Sequence, residues 1–251
     1  MATLHNNVVP SSAGAGAGVW YGDRGVIGGG SADTNVMDYI TIATTGNATD
    51  FGDLTVGRSY IAACSDSSRG LFGGGSSGSN VIDYITISTT GNATDFGDLT
   101  RSNYAISACS DGTKGVFGGG NSNTNVIDYI IIATTGNATD FGDLTVARQN
   151  AAACSDITRG VFASGYYGAG VTIDSIDYIT IATTGNANDF GDVTVARYAI
   201  SACSDGTYGV FGGGCCTYDI LDYITIQTLG NATDFGDLTA NRSYPAGLSG
   251  D

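Results

Sequence analysis

The chain has 251 residues and a formal net charge of −15, and all 24 of its acidic residues are Asp. Only nine Lys and Arg oppose that charge, which excludes nucleic-acid binding through a basic face. We expect no membrane contact, because no run of about 20 apolar residues is present, and no secretory signal, because the N-terminus lacks a basic start and an apolar core.

A stretch of eighteen residues, Asp83 to Thr100, recurs through the chain with few changes. The copies begin at Asp38, Asp83, Asp128, Asp177 and Asp222, a spacing of 45 residues that widens once to 49. A period of this size that fills nearly the whole chain predicts a single repeat domain. We place this domain at residues 19–251 and interpret the Gly- and Ala-rich residues 1–18 as a flexible arm that could dock on a neighbour.

Each unit predicts four short strands. In the second unit a small-residue run ends at Cys64, and a second run ends in glycines at 73–75. After a polar loop, residues 81–88 alternate with a period of two, and residues 94–100 form a last short strand. Four antiparallel strands without helical periodicity are typical of a β-propeller blade, so the fold class is all-β with five blades. The units lie near 19–57, 58–102, 103–147, 148–196 and 197–241.

The first strand of the unit is represented six times for five blades. Stepping back 45 residues from Cys64 gives Val19, and the copy after the fifth unit ends at Leu248. We expect residues 242–251 to complete the first blade, so that the N- and C-terminal segments pair and close the ring.

No metal, cofactor or catalytic group is predicted. The four cysteines of one repeat slot are read as small buried residues rather than disulfide pairs, because equivalent positions lie a whole repeat width apart. A single His5 permits neither a zinc site nor a Ser/His/Asp triad. The repeated acidic pairs are interpreted as turn caps rather than Ca²⁺ ligands. We therefore predict that the chain is not an enzyme.

Two further repeated features are assigned structural roles. The repeat aspartates are expected to pair with the repeat arginines, since arginine offers a bidentate fork to a carboxylate; these are Asp38, Asp83, Asp128, Asp177 and Asp222, with Arg58, Arg148, Arg197 and Arg242. The arginine slot of the third unit holds Asn103, with Arg101 two residues earlier. The Asn92-Ala-Thr motif and its copies are read as turns bonded to local backbone rather than as glycosylation sites.

An arginine, a glycine doublet, a tyrosine and a later aromatic follow one another at Arg58, Gly73, Tyr84 and Phe96 of the second unit. This order resembles the kelch repeat over residues 19–248. Phe replaces the kelch tryptophan, and its distance of 12 residues from Tyr84 is longer than in kelch. The repeat wording is also similar to virion structural proteins of marine tailed phages. That resemblance implies a fibre or decoration protein, made in the host cytoplasm and carried in the virion.

The units differ most in the loop before each Asp-Tyr strand. The fourth loop has a four-residue insertion with Tyr166 and Tyr167, and the fifth contains Tyr218. Ring closure places all five loops on one face, where exposed aromatic residues are good contact material; the candidate binding residues are Tyr166, Tyr167, Tyr218, Trp20 and Tyr21. Loops that drift without a role are the alternative interpretation.

Three functions fit this pattern. The first is a non-enzymatic virion protein that contacts other virion proteins and could be homo-oligomeric in the particle. The second is an adhesin that binds host-surface glycan through the variable loops. A glycan-active enzyme is the third and weakest.

Overall fold

The computed structural model describes residues 7–8, 24–121, 124–168, 170–215 and 218–247. They form five four-stranded antiparallel sheets, each built from strands consecutive in the chain. The sheets are arranged as the blades of a propeller, which confirms the predicted all-β, five-bladed fold. Within the described residues, no helix has the length and apolar character needed to cross a membrane.

The strands fall into blades in chain order. Blade 1 contains β1 (Asn7–Val8), β2 (Arg24–Gly28), β3 (Val36–Thr41) and β4 (Thr49–Asp53). Blade 2 contains β5 (Ala62–Ser65), β6 (Arg69–Gly73), β7 (Val81–Thr86) and β8 (Thr94–Asp98). Blade 3 contains β9 (Ser107–Ser110), β10 (Lys114–Gly118), β11 (Val126–Ile131) and β12 (Thr139–Asp143). Blade 4 contains β13 (Ala152–Ser155), β14 (Arg159–Tyr167), β15 (Val171–Thr180) and β16 (Asn188–Asp192). Blade 5 contains β17 (Ser201–Ser204), β18 (Tyr208–Gly212), β19 (Ile220–Thr225) and β20 (Thr233–Asp237). Single turns of 3₁₀ helix lie at Ser31–Asp33 and Ser76–Gly78.

Each blade carries a β-bulge between its third and fourth strands. In blade 2 the pairing passes from Ile82 opposite Gly97 to Asp83 opposite Asp95, which leaves Phe96 as the extra residue. A bulge of this kind re-aims side chains, and both Phe96 and Asp83 are buried. The same irregularity occurs in the other four blades.

The hydrophobic core consists of clusters between blades. Each of four buried clusters joins one face of a blade to the opposite face of the next blade, for blades 1 and 2, 2 and 3, 3 and 4, and 4 and 5. In the last of these, Val161, Ile176 and Phe190 of blade 4 pack with Phe211 and Ile224 of blade 5. Burial of apolar area between neighbouring blades therefore provides the main stabilisation.

The inner strand of blade 1 differs from the prediction. It is β1, which pairs with β2 in the register that β5 has against β6. Two residues of the predicted arm 1–18 are thus part of a blade, and the rest of that arm lies outside the described residues. Of the predicted closing segment 242–251, residues 242–247 are described and contain no strand. Pro245 lies there, and proline has no N–H to donate to a strand ladder.

Residues 242–247 lie against the axial side of blade 5. The Gly214 N–H donates to the Arg242 carbonyl at 2.9 Å, and the Tyr244 N–H donates to the Ala199 carbonyl at 3.1 Å. The same two bonds join blade 4 to the start of blade 5, from Gly165 to Arg197 and from Ala199 to Asn150. The C-terminal segment therefore occupies the place where a next blade would begin.

Small residues line the propeller axis, as expected for a narrow five-bladed ring. The inner strands of blades 2 to 5 surround a cavity of about 20 Å³ with Ala, Cys and Ser side chains. Cys64, Cys109, Cys154 and Cys203 are free thiols, and burial raises the pKa of the Cys64 thiol to about 12. Such thiols remain protonated and unreactive at neutral pH.

Candidate functional site

The variable loops lie on one face of the propeller, beside the segments that lead into the inner strands. Backbone hydrogen bonds anchor the first residue of four of the five loops to the residue after the arginine slot: Ser76 donates to Ser59, Asn121 to Tyr104, Tyr166 to Gln149 and Cys215 to Tyr198. The loops are therefore held at the same height on four successive blades.

Five residues with left-handed backbone surround the axis on this face. They are Tyr60, Ala105, Asn150, Ala199 and Tyr244, with φ between 53° and 58°. Four N–H to carbonyl bonds of 2.9–3.1 Å link them in that order. A non-glycine residue in this conformation costs about 1–3 kcal/mol and persists only where its surroundings hold it, most often at functional sites. We call this arrangement the axial ring.

The axial ring frames a depression of about 110 Å³. Tyr60, Tyr244 and Asn150 contribute aromatic and amide groups to its lining, together with Ile and Ala residues. Ligand pockets for whole small molecules measure about 300–1,000 Å³. The depression is therefore large enough for a side group of a ligand and too small for a complete one.

Tyrosines cluster around the axial ring. Tyr60 and Tyr104 lie with ring centroids 5.9 Å apart, and Tyr166 and Tyr198 lie 5.3 Å apart, both in tilted arrangements. Each pair joins neighbouring blades, so the rings are fixed by their packing rather than by a loop alone. We call this surface the tyrosine face, and it comprises Tyr60, Tyr104, Tyr166, Tyr167, Tyr198, Tyr218 and Tyr244.

The insertion of the fourth unit lengthens β14 and β15 into a projecting hairpin. Tyr167 pairs with Val171 near the tip, and they are 46 % and 53 % exposed. Tyr166 is held more firmly, because it forms a two-bond bridge with Gln149 and its hydroxyl accepts the Gly170 N–H at 3.0 Å. The hairpin thus presents an exposed aromatic and an exposed aliphatic side chain on a supported base.

The predicted binding residues are only partly brought together. Tyr166 and Tyr167 lie on one hairpin, and Tyr218 lies in the loop of blade 5, where its carbonyl accepts the Arg242 N–H at 3.2 Å. Trp20 and Tyr21 lie outside the described residues. Sequence reasoning missed Tyr60, Tyr104 and Tyr198, which precede the inner strands β5, β9 and β17, and Tyr244, which lies in the C-terminal segment. The signal was available, because these positions also differ from unit to unit.

Arginine and aspartate meet inside three blades. Arg58 lies 2.9 Å from Asp83, Arg148 lies 3.0 Å from Asp177, and Arg197 lies 2.7 Å from Asp222, all with buried side chains. Burial lowers the pKa of Arg58 and of Arg148, and the neighbouring aspartate partly offsets this effect.

The other two blades have a different arrangement. Blade 3 has Asn103 in the arginine slot, and in blade 1 no ion pair of Asp38 occurs among the described residues. Arg242 is exposed, whereas the three paired arginines are buried. The buried arginine–aspartate pairs stabilise the scaffold. They are not part of the tyrosine face.

The Asn-Ala-Thr turns have a role that differs from the predicted local one. The side-chain Oδ1 of Asn92 accepts the backbone N–H of Asp53 in the preceding blade at 3.1 Å, and the equivalent bond recurs at three more junctions. The asparagine therefore joins blades at their outer edge. Among the described residues, no group of three or more His, Cys, Asp or Glu side chains is arranged to hold a metal ion.

These features define the class of protein: a five-bladed β-propeller whose unit-to-unit differences are concentrated on one tyrosine-rich face. Comparison of the chain with protein-family models and with curated proteins found no match. The kelch-like and virion resemblances of the sequence therefore stay predictions.

Proposed function

We propose that the protein is a non-enzymatic structural component of a phage particle that contacts other virion proteins through its tyrosine face. The observation that carries this proposal is the exposed hairpin of blade 4, the one large departure from the repeat. Tyr and other aromatic residues are enriched where proteins contact each other, and variable loops on a rigid scaffold commonly carry binding. The virion location is supported by the sequence resemblance alone.

A photo-crosslinking amino acid at Tyr167, in virions that contain the chain, tests this proposal. We expect covalent adducts with one or a few virion proteins, because Tyr167 projects from the face. Ile157 is the matched control, since it is equally exposed at 47 % and lies in the turn at the opposite end of β14. Equal crosslinking from both positions, or none from Tyr167, would contradict a contact through this face.

A second candidate function is binding of a host-surface glycan, and the depression inside the axial ring favours it. Aromatic rings stack on sugar rings, and the Asn150 amide can both donate and accept hydrogen bonds. At about 110 Å³, the depression would hold a substituent of a sugar while the surrounding tyrosines contact the ring.

Glycan-array binding by the full chain distinguishes this candidate from the first. Binding that disappears in Tyr166→Ala/Tyr167→Ala and in Asn150→Ala, but persists in Ile157→Ala, would support an adhesin. An array without signal for the wild-type chain would rule out the glycans displayed and leave the protein-contact proposal intact. Turnover of a polysaccharide would contradict both non-enzymatic functions.

A further inference from the structure

The junction between blade 5 and blade 1 differs from the other four. At the regular junctions the bulge phenylalanine is 2–3 % exposed, whereas Phe235 of blade 5 is 61 % exposed. On the other side, Ile42 of blade 1 is 41 % exposed, while its equivalent Ile87 is partly buried and Ile132, Ile181 and Ile226 are fully buried. We call these two surfaces together the seam: Val210, Leu221, Phe235 and Leu238 of blade 5, and Ile27, Ile40 and Ile42 of blade 1.

The polar bonds of a regular junction are also missing at the seam within the described residues. A side chain placed on Gly191 would meet the backbone of Gly230 in the next blade at 2.5 Å, but one placed on Gly236 would meet nothing within 4 Å. In blades 1 to 4 a basic residue, such as Arg159, donates to an isoleucine carbonyl of the next blade. Blade 5 has Tyr208 in that position.

The four regular junctions indicate which surface fits each half of the seam. Every internal cluster is formed by the blade 5-type face of one blade and the blade 1-type face of the next. In the described part of this chain each kind of face is only partly covered, one at each end of the blade array: Phe235 and Ile42 are exposed, and the rest of each face is half-buried. On blade 5 a cavity of about 730 Å³ separates the face from residues 242–247. Closure within one chain would have the advantage of a high effective concentration, yet the structure leaves Phe235 and Ile42 exposed.

We propose that the seam binds a second copy of this chain, with the blade 1 face of one copy seated on the blade 5 face of the other. Because the two surfaces are different, this contact is heterologous and can continue from copy to copy. The proposal goes beyond the tyrosine face, which lies at the end of the blades and stays free for other partners.

Two single substitutions of the full chain test the proposal by complementation. Phe235→Asp places a charge on the blade 5 face, and Ile42→Asp places one on the blade 1 face. Both side chains are exposed, so the monomer should fold in each case. By sedimentation velocity we expect the wild-type chain to form species of two or more copies that grow with concentration, and each variant to be a monomer. An equimolar mixture of the two variants should form a dimer and nothing larger, because one intact face of each kind remains. Ile157→Asp should behave like the wild-type chain.

A disulfide trap separates a second copy from closure within one chain. At a regular junction the Asp192 N–H donates to the side-chain Oδ1 of Asn231 at 3.1 Å, and the equivalent seam positions are Asp237 and Asn47. We expect Asn47→Cys and Asp237→Cys chains, when mixed and oxidised, to form covalent dimers. Three results would each overturn the proposal. The first is a wild-type chain that is monomeric at every concentration, and the second is a mixture of Phe235→Asp and Ile42→Asp that does not dimerise. The third is an Asn47→Cys/Asp237→Cys chain that crosslinks only to itself.

Discussion

Blades 4 and 3 hold the same aspartate at the same place, but only blade 4 supplies a buried cation. Arg148 lies 3.0 Å from Asp177 with both side chains fully buried. In blade 3 the slot holds Asn103, whose amide nitrogen donates to the Gly119 carbonyl at 2.6 Å. The Asn103 amide oxygen has no hydrogen-bond partner among the described residues.

Asp128 of blade 3 therefore depends on its threonine neighbour. It accepts the Thr100 N–H at 3.0 Å and the Thr100 hydroxyl at 2.7 Å. Burial raises the pKa of Asp128, an effect that the Thr100 hydrogen bonds and the charge of Arg101 only partly offset. The threonine is therefore enough to hold the aspartate in place, while the arginine sets the cost of keeping it charged.

Removing the cation from blade 4 should have the largest effect. Arg148→Met keeps most of the side-chain volume but leaves Asp177 buried without a charge partner, which should cost about 3–5 kcal/mol in the free energy of unfolding. Urea denaturation monitored by tyrosine fluorescence measures this loss. Asn103→Met in blade 3 is the matched control and should cost far less. Arg148→Met/Asp177→Leu should recover much of the stability, and a double variant as unstable as the single one would show that the charge is not the cause.

Adding a cation to blade 3 should have a moderate effect of opposite sign. Asn103→Arg gives Asp128 the partner found in blades 2, 4 and 5 and should stabilise the fold by about 1–2 kcal/mol at neutral pH. The folded pKa of Asp128 is raised, so the folded state binds a proton that the unfolded state has lost. The contribution of Asp128 to stability is thus present near the ordinary carboxyl value of 3.8 and is lost as the pH rises through the raised pKa.

The gain from Asn103→Arg should accordingly be larger at neutral pH than near pH 3.8. Denaturation of wild-type and variant chains at both pH values measures the difference. In an Asp128→Asn background the substitution should give no gain at either pH, and a gain that persists there would assign the effect to packing.

Features that recur in every unit could be predicted from the sequence, whereas features that depend on individual residues could not. The five blades and the small inner-strand residues follow from period and composition. Strand β1 could not be predicted, because a strand of two residues shows no periodicity. It is defined only by its pairing with β2, at the position that the inner strand has in the other blades. The inter-blade bond of Asn92 was missed for a related reason: its partner lies 39 residues away, and a turn motif favours a local interpretation.

Only part of the tyrosine face could be predicted from the sequence. Comparison of the units identified Tyr166 and Tyr167, since an insertion is visible in the sequence. Tyr60 and Tyr198 occupy adjacent slots of the repeat, and only the left-handed backbone of the axial ring brings both slots to the same opening. Such a backbone is unusual for Tyr and Ala, so composition gives no sign of it.

The threonine hydrogen bond offers the finest test of the two blades. Thr100→Val removes a hydroxyl that donates to Asp128, and Thr145→Val removes the same donor from Asp177 at 2.6 Å. Hydrogen bonds to charged groups contribute about 1.5–3 kcal/mol, so Thr100→Val should destabilise blade 3, where Asp128 has no buried cation beside it. Asp177 keeps Arg148, so Thr145→Val should cost less. Thr100→Val should also raise the pKa of Asp128 further, which NMR titration of its carboxyl carbon measures. In the Thr145→Val chain, Asp128 should titrate as in the wild type.

Equal stability losses together with an unchanged Asp128 titration would mean that the threonines act by shape alone and that the arginine is not what distinguishes blade 4 from blade 3.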